Sequence, residues 1–281
     1  MAIPSPQMSE QDDSAAKSPL RVVPSAAGMV RVETLDHTYA AAGRTTKALE
    51  GITLDIASGR FVVIVGPSGC GKSSLLMMMP GLVRPTSGTV LCGGRPMTEP
   101  DPDRVGVVFQ EASLYPWLTA QDNVEFPLSL RRVAKEERKR RALEKLALVG
   151  LQGFEDRYPH ELSGGMKQRV SIARGLVQNP PILMMDEPFA ALDEQTRIAM
   201  GDELLRIWEQ TGKTIVFVTH SLTEAVYLAD EIIVMSARPG RITDRIAVDL
   251  PRPRTYAMMS SPRFAELRER IWNQIKAQAG S

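Results

Sequence analysis

The stretch "GPSGCGKSS", Gly66 to Ser74, separates two apolar runs, Phe61–Val65 before it and Leu75–Met79 after it. Its glycines let the backbone wrap tightly, so that successive N–H groups point inward as an anion nest. The helix that follows adds its positive N-terminal end. Gly66, Gly71, Lys72 and Ser73 satisfy the spacing G-x-x-x-x-G-K-[ST], in which the lysine reaches the β- and γ-phosphates of a nucleotide and the hydroxyl binds Mg²⁺. A glycine-rich strand-to-helix turn with a surface lysine is the plainer alternative, but the pattern needs a strand before it and a helix after it, and both are written here. Cys70 fills a free position of the motif, where a small side chain is tolerated. No base or resolving cysteine is placed to activate its thiol, and alkylation there is expected to block nucleotide binding by bulk.

A second stretch, "ILMMDEPFAALDE" from Ile182 to Glu194, runs four apolar residues into two acids, Asp186 and Glu187. Open α/β sheets bind ligands at the carboxyl ends of their strands. One acid at that point can hold Mg²⁺, and a second can polarise an attacking water.

Composition excludes several classes. Lys+Arg number 34 and Asp+Glu 33, a formal charge of +1, so no global field favours nucleic acid. The basic run Arg131–Arg141 reads as a solvated helix face, because Glu136, Glu137 and Glu144 are interleaved. Two cysteines, Cys70 and Cys92, form no disulfide framework. A spanning helix needs roughly 20 apolar residues, and the strongest runs, Phe61–Val65 and Ile182–Met185, are strand-sized. His37 and His160 lack acids or cysteines at metal-ligand spacing and read as structural.

Residues 1–27 are rich in Ser, Pro and Ala and are expected to form a disordered tail. Val30–Tyr39 and Ala48–Ile56 read as an antiparallel β region with its turn at Ala41–Thr46. Strands are expected at Phe61–Val65, Arg104–Phe109, Ile182–Met185, Thr214–Val218 and Ile232–Met235, and a helix at Lys72–Met79 stopped by Pro80 and Gly81. Residues 113–178 read as a helical subdomain, with Val133, Leu143, Leu146, Ala147 and Leu151 as apolar positions. Strands alternating with helices argue for a largely parallel sheet. Residues 251–281 form a C-terminal extension, whose amphipathic helix Pro262–Gln278 carries Phe264, Leu267, Ile271 and Ile275 on one face.

At "ELSGGMKQRVSIARGL", Glu161 to Leu176, the chain closely resembles the signature loop and helix of ABC-type ATPases, and the remaining motifs fall in that family's order over about residues 29–250. The resemblance implies an α/β P-loop NTPase with a mixed sheet core, an antiparallel β region and an inserted helical subdomain. It makes Gly66, Pro67, Ser68, Gly69, Cys70, Gly71, Lys72, Ser73 and Ser74 the phosphate loop and Gln110 the Q-loop glutamine. Ser163, Gly164 and Gly165 belong to the signature, Asp186 is a Mg²⁺-binding acid beside Ser73 and Gln110, and Glu187 is the catalytic acid. Asp193 lies in the D-loop, His220 is the switch histidine, and Tyr39 stacks on adenine. The implied mechanism pairs two chains head to tail with two ATP molecules between them. Ser163 and Gly165 of one chain close over the γ-phosphate held by the other, and opening after hydrolysis drives a membrane partner.

Three positions depart from the usual pattern: Met166 in place of glutamine, Ser74 in place of threonine, and Pro80 where alanine is expected. Met166, with "GPSGCGKSS", "DEPFAALD" and "VMSARPGRI", resembles the importer ATPases for nitrate, sulfonates and taurine. "MSARPGRI", Met235 to Ile242, is the sharpest of these marks, although a plain turn at Pro239 and Gly240 accounts for it equally well. This branch implies a second copy of the chain, an integral membrane permease and, indirectly, a periplasmic or extracellular substrate-binding protein, at the cytoplasmic face of a bacterial inner membrane. "SLYPWLTAQDNV", Ser113 to Val124, is either core packing or the groove that receives a cytoplasmic helix of the permease. An exporter or lipid-transport subunit shares the same ATPase core and stays open. DNA-repair ATPases carry a long coiled coil between these motifs, and translation-associated ones carry two cassettes; neither is written here.

Overall fold

The structure, a computed structural model, describes residues 26–41 and 44–279. The expected tail, residues 1–27, lies outside the described residues except for its last two, which open a 3-10 turn, Ala26–Gly28, whose Gly28 carbonyl accepts from Thr214 Oγ1 at 2.6 Å. Strands β1 (Val30–Ala41) and β2 (Arg44–Ile56) pair antiparallel. The hairpin is longer than its apolar pattern: Thr45 and Thr46, expected in the turn, pair with Ala40 and Tyr39. Backbone groups make the ladder, and threonine suits an exposed strand, so pairing continues past the last apolar residue.

Strand β3 (Phe61–Val65) is buried at all five positions. Its side chains alternate, so Phe61, Val63 and Val65 enter one core while Val62 and Ile64 enter another. Helix α1 (Lys72–Met78) follows, one residue shorter than expected; the Gly81 N–H bonds the Met78 carbonyl at 3.0 Å and closes it. Strands β4 (Ser87–Cys92) and β5 (Arg95–Pro96) complete a four-stranded sheet of order β2-β1-β4-β5. Neither strand stood out in the sequence, because β4 buries only Val90 and Cys92.

The second sheet is built on β6 (Val105–Val108), β7 (Ile182–Asp186), β8 (Thr214–Val218), β9 (Glu231–Met235) and β10 (Ile242–Ala247), in the order β10-β9-β3-β8-β7-β6. Five strands are parallel, and β10, a strand the sequence reading lacked, pairs antiparallel at the edge.

Helices α2 (Ala120–Leu130), α3 (Lys135–Leu148) and α4 (Gly164–Leu176) pack on one another. On α3 the buried positions are Ala142 and Leu146, with Leu143 and Ala147 half-buried, so of the expected apolar positions Leu146 and the following Leu151 are buried and Ala142 is added. Its charged residues pair with each other: Glu137 accepts from Arg140 at 2.7 Å and from Arg141 at 2.6 Å. Helices α5 (Glu194–Thr211) and α6 (Leu222–Leu228) follow β7 and β8. Helix α7 (Pro262–Ala279) lies on α6 and β9; Phe264, Leu267 and Ile271 are buried and Ile275 packs against them half-buried.

Candidate active site

The strand order brings the ends of β3, β7 and β8 side by side, and three separate loops converge there. The loop after β3 turns at Gly71, whose φ of 101° favours glycine and whose Cβ would stand 2.7 Å from Leu49 Cδ2. Lys72 is buried and its Nζ donates to the Gly66 and Pro67 carbonyls, each at 3.0 Å. Its hydrogen bonds reach neutral groups, so an ammonium charge is presented inside the loop, the complement of an anion.

Ser73 Oγ donates to Asp186 Oδ1 at 3.0 Å, across 113 residues of chain. Burial pushes the Asp186 carboxyl above its ordinary value, with the Ser73 hydroxyl and Lys72 acting against that rise and Glu187 adding to it. A hydroxyl and a carboxylate are hard oxygen donors of the kind Mg²⁺ takes. Among the described residues no group of three or more His, Cys, Asp or Glu side chains forms a metal-holding cluster.

Glu187 sits one residue past β7 at φ 43°, a left-handed conformation uncommon for glutamate. Its N–H bonds the Val218 carbonyl at 2.9 Å, and the buried Phe189 behind it packs on Phe217 at a ring distance of 5.4 Å. These contacts aim the carboxylate at His220, whose Nδ1 lies 2.9 Å from Glu187 Oε2.

A cavity of about 500 Å³ opens over this cluster, lined by Tyr39, Thr46, Ala48, Ser68, Gly69, Gly71, Lys72, Ser73, Ser74, Glu187 and Arg238. Tyr39 is half-exposed on its rim, with its hydroxyl 2.9 Å from Ser74 Oγ and the buried His37 edge-on at 4.4 Å. Eight of these residues are among the site residues expected from the sequence; Thr46 and Ala48 read there only as turn and strand, and Arg238 only as part of the mark Met235–Ile242. Their signal is weak, since they come from strand and turn segments joined to the loop only by the sheets.

The other expected residues lie elsewhere. Gly66, Pro67 and Cys70 do not line the cavity. Cys70 is buried, burial raises its thiol pKa, and its sulfur is 3.9 Å from Lys72 Nζ. Gln110 is exposed after β6 and outside the cavity lining. Ser163 caps α4 by accepting from Met166 N at 3.3 Å, and Asp193 caps α5 by accepting from Thr196 N at 2.9 Å. Gly164 and Gly165 open α4; Gly164 faces Leu192 and Gly165 faces Thr196, and none of Ser163, Gly164, Gly165 and Asp193 lines the cavity.

The family model described as ABC transporter matches residues 49–190. A taurine import ATP-binding protein of Rhizobium johnstonii is 47% identical over 249 residues, covering 86% of this chain and 95% of the relative. An aliphatic sulfonates import ATP-binding protein of Bacillus cereus is 42% identical, covering 88% and 96%. A nitrate import ATP-binding protein of Synechocystis is also 42% identical, covering 89% and 96%. Among solved structures, a dimeric post-hydrolysis ATP-binding cassette bound to ADP and Pi matches with a TM-score of 0.70 at 36% identity, covering 79% of this chain and 100% of that one.

Proposed function

The chain belongs to the ABC transporter family, and from that membership we propose that it is the ATP-hydrolysing subunit of an importer for a small anion such as taurine, an alkanesulfonate or nitrate. The observation that carries the reading is the cluster itself. Lys72, Ser73 and Glu187 line one cavity, and Asp186 and His220 are tied to it by their contacts with Ser73 and Glu187, although these residues come from three loops.

In this reading the loop from Gly66 to Ser74 holds the phosphates, with Lys72 as their cation, and Tyr39 stacks on the base. Ser73, Asp186 and Gln110 hold Mg²⁺, which when bound neutralises charge on the phosphate oxygens. Glu187 orients and deprotonates the attacking water, and His220 fixes that carboxylate and the γ-phosphate. The signature residues Ser163, Gly164 and Gly165 and Asp193 close the site of a second copy; a capped helix start outside the lining of its own chain's cavity supports a role in trans.

We assign residues 28–250 to the ATPase domain, 113–178 to its helical subdomain and 251–281 to a C-terminal extension. The permease docks beside the subdomain. A cavity of about 430 Å³ there is lined by Leu82, Phe109, Tyr115, Phe126 and Arg174, and Trp117, 71% exposed, stands next to Tyr115 at a ring distance of 5.7 Å. The loop is shaped from below by buried Asn123, which donates to the carbonyls of Tyr115, Leu118 and Thr119 and accepts from Tyr115 N. No helix among the described residues is long and apolar enough to cross a membrane; in this reading the permease holds the chain at the cytoplasmic face of the inner membrane.

Two measurements test this. The purified chain is expected to hydrolyse ATP and Lys72→Ala to lose binding; absence of both activities in the wild type refutes the ATPase. Deletion of the gene is expected to abolish growth on taurine or an alkanesulfonate as sole sulfur source while sparing growth on sulfate. Unimpaired growth moves the assignment to nitrate, tested as sole nitrogen source.

A further inference from the structure

The turn after β9, Ser236 to Arg241, is the motif whose sequence reading stopped at a turn. It is closed on itself and on its surroundings. Ser236 N–H bonds the Arg241 carbonyl at 2.9 Å, and Ser236 Oγ accepts from Arg241 N at 2.9 Å. Gly240 N–H bonds the Ala48 carbonyl at 2.8 Å and its own carbonyl accepts from Glu50 N at 3.0 Å. Arg241 Nε adds an ion pair to Glu50 Oε2 at 2.9 Å. Gly240 presses on the back of the phosphate loop so closely that a Cβ there would stand 2.1 Å from the Cys70 carbonyl oxygen.

Held in this way, the turn projects one residue, Arg238, over the loop. Its Nη2 donates to the Gly69 carbonyl at 3.2 Å, across 169 residues of chain, and the side chain lines the cavity. Arg238 is exposed, and among the described residues no carboxylate pairs with it. Lys72 and Arg238 are the cations among the residues lining this cavity, and Glu187 is the acid. They bond different carbonyls of the loop, Lys72 those of Gly66 and Pro67 and Arg238 that of Gly69. A guanidinium has five donors in a rigid fork that fits phosphate; one is spent on the Gly69 carbonyl.

We infer that Arg238 is a nucleotide-binding residue that contacts the phosphate chain of ATP, so that the motif "SARPGR" supplies a second phosphate cation from outside the phosphate loop. The inference rests on the nucleotide-site reading above and adds a residue to it.

The test uses the fluorescent trinitrophenyl derivatives of ATP and AMP as probes, with wild type, Arg238→Ala, Arg238→Gln, Arg238→Lys and Lys72→Ala, each checked for an unchanged melting curve. Arg238→Ala is expected to weaken the ATP probe about tenfold and the AMP probe little, because charge-assisted contacts to the distal phosphates are lost. Arg238→Lys is expected to fall between, keeping the charge without the fork. An ATP-probe affinity within about twofold of wild type for the Ala variant, or for Gln should Ala not fold, overturns the inference. An equal loss for both probes also overturns it, since that marks a support of the loop. A wild type that binds neither probe fails the nucleotide-site reading itself and is told apart from both.

Discussion

Glu187 is held in a left-handed backbone conformation by a hydrogen bond from its N–H to Val218 and by Phe189 wedged behind it. Such strain persists only where surrounding contacts over-determine it, and here it aims a carboxylate at His220. Glu187→Gln keeps the shape and removes the proposed base. Turnover is expected to fall by about 10²–10⁴-fold with ATP binding retained, read as single-turnover hydrolysis against equilibrium binding. Turnover at the wild-type rate would remove Glu187 from the proposed role. The dipeptide Asp186-Glu187 was legible because two acids ended an apolar run; the left-handed turn that separates their directions was not, since it depends on β8 lying alongside.

At the scale of elements, caps and faces divide differently between sequence and structure. Asp193 caps α5 through the Thr196 N–H and hydroxyl, and these donors hold its carboxyl below the ordinary value of 3.8. A carboxyl depressed in the folded state adds stability that is present above its unfolded value and is lost as pH falls through the folded one. The melting-temperature difference between wild type and Asp193→Ala is therefore expected to be steady near neutrality and to shrink below about pH 3.8. A difference that grows on acidification would contradict the cap. Helix α7 shows the apolar face its spacing predicts, with Phe264 buried against the core. Phe264→Ala is expected to cost about 3–5 kcal/mol in denaturant unfolding, with ATP-probe binding at the native baseline unchanged. On α3 the same kind of spacing located Leu146 but missed the buried Ala142, because a helix crowded with arginine and glutamate has few apolar residues to fix its rotation.

Across the whole molecule, the proposed hydrolysis site and the proposed docking face are separate, since the two cavities share no lining residue. Trp117 lies exposed next to Tyr115, which lines the cavity at Leu82 and Phe109. Trp117→Glu is expected to abolish substrate uptake in reconstituted transporter while basal ATP hydrolysis stays at the wild-type level; normal uptake would exclude this face as the docking site. The sequence by itself determined the chemistry and the class of fold. The phosphate loop between a buried strand and a helix, the acids closing an apolar strand and the parallel strands at Phe61–Val65, Ile182–Asp186 and Thr214–Val218 are local patterns of burial and turn, readable within a few residues. Only the tertiary structure decided which of these ends meet. Ser73 reaches Asp186 across 113 residues, and Arg238 reaches Gly69 across 169. Both contacts follow from the order of strands in the sheet, which is set by the joint packing of two cores against its faces and is written at no single position in the chain.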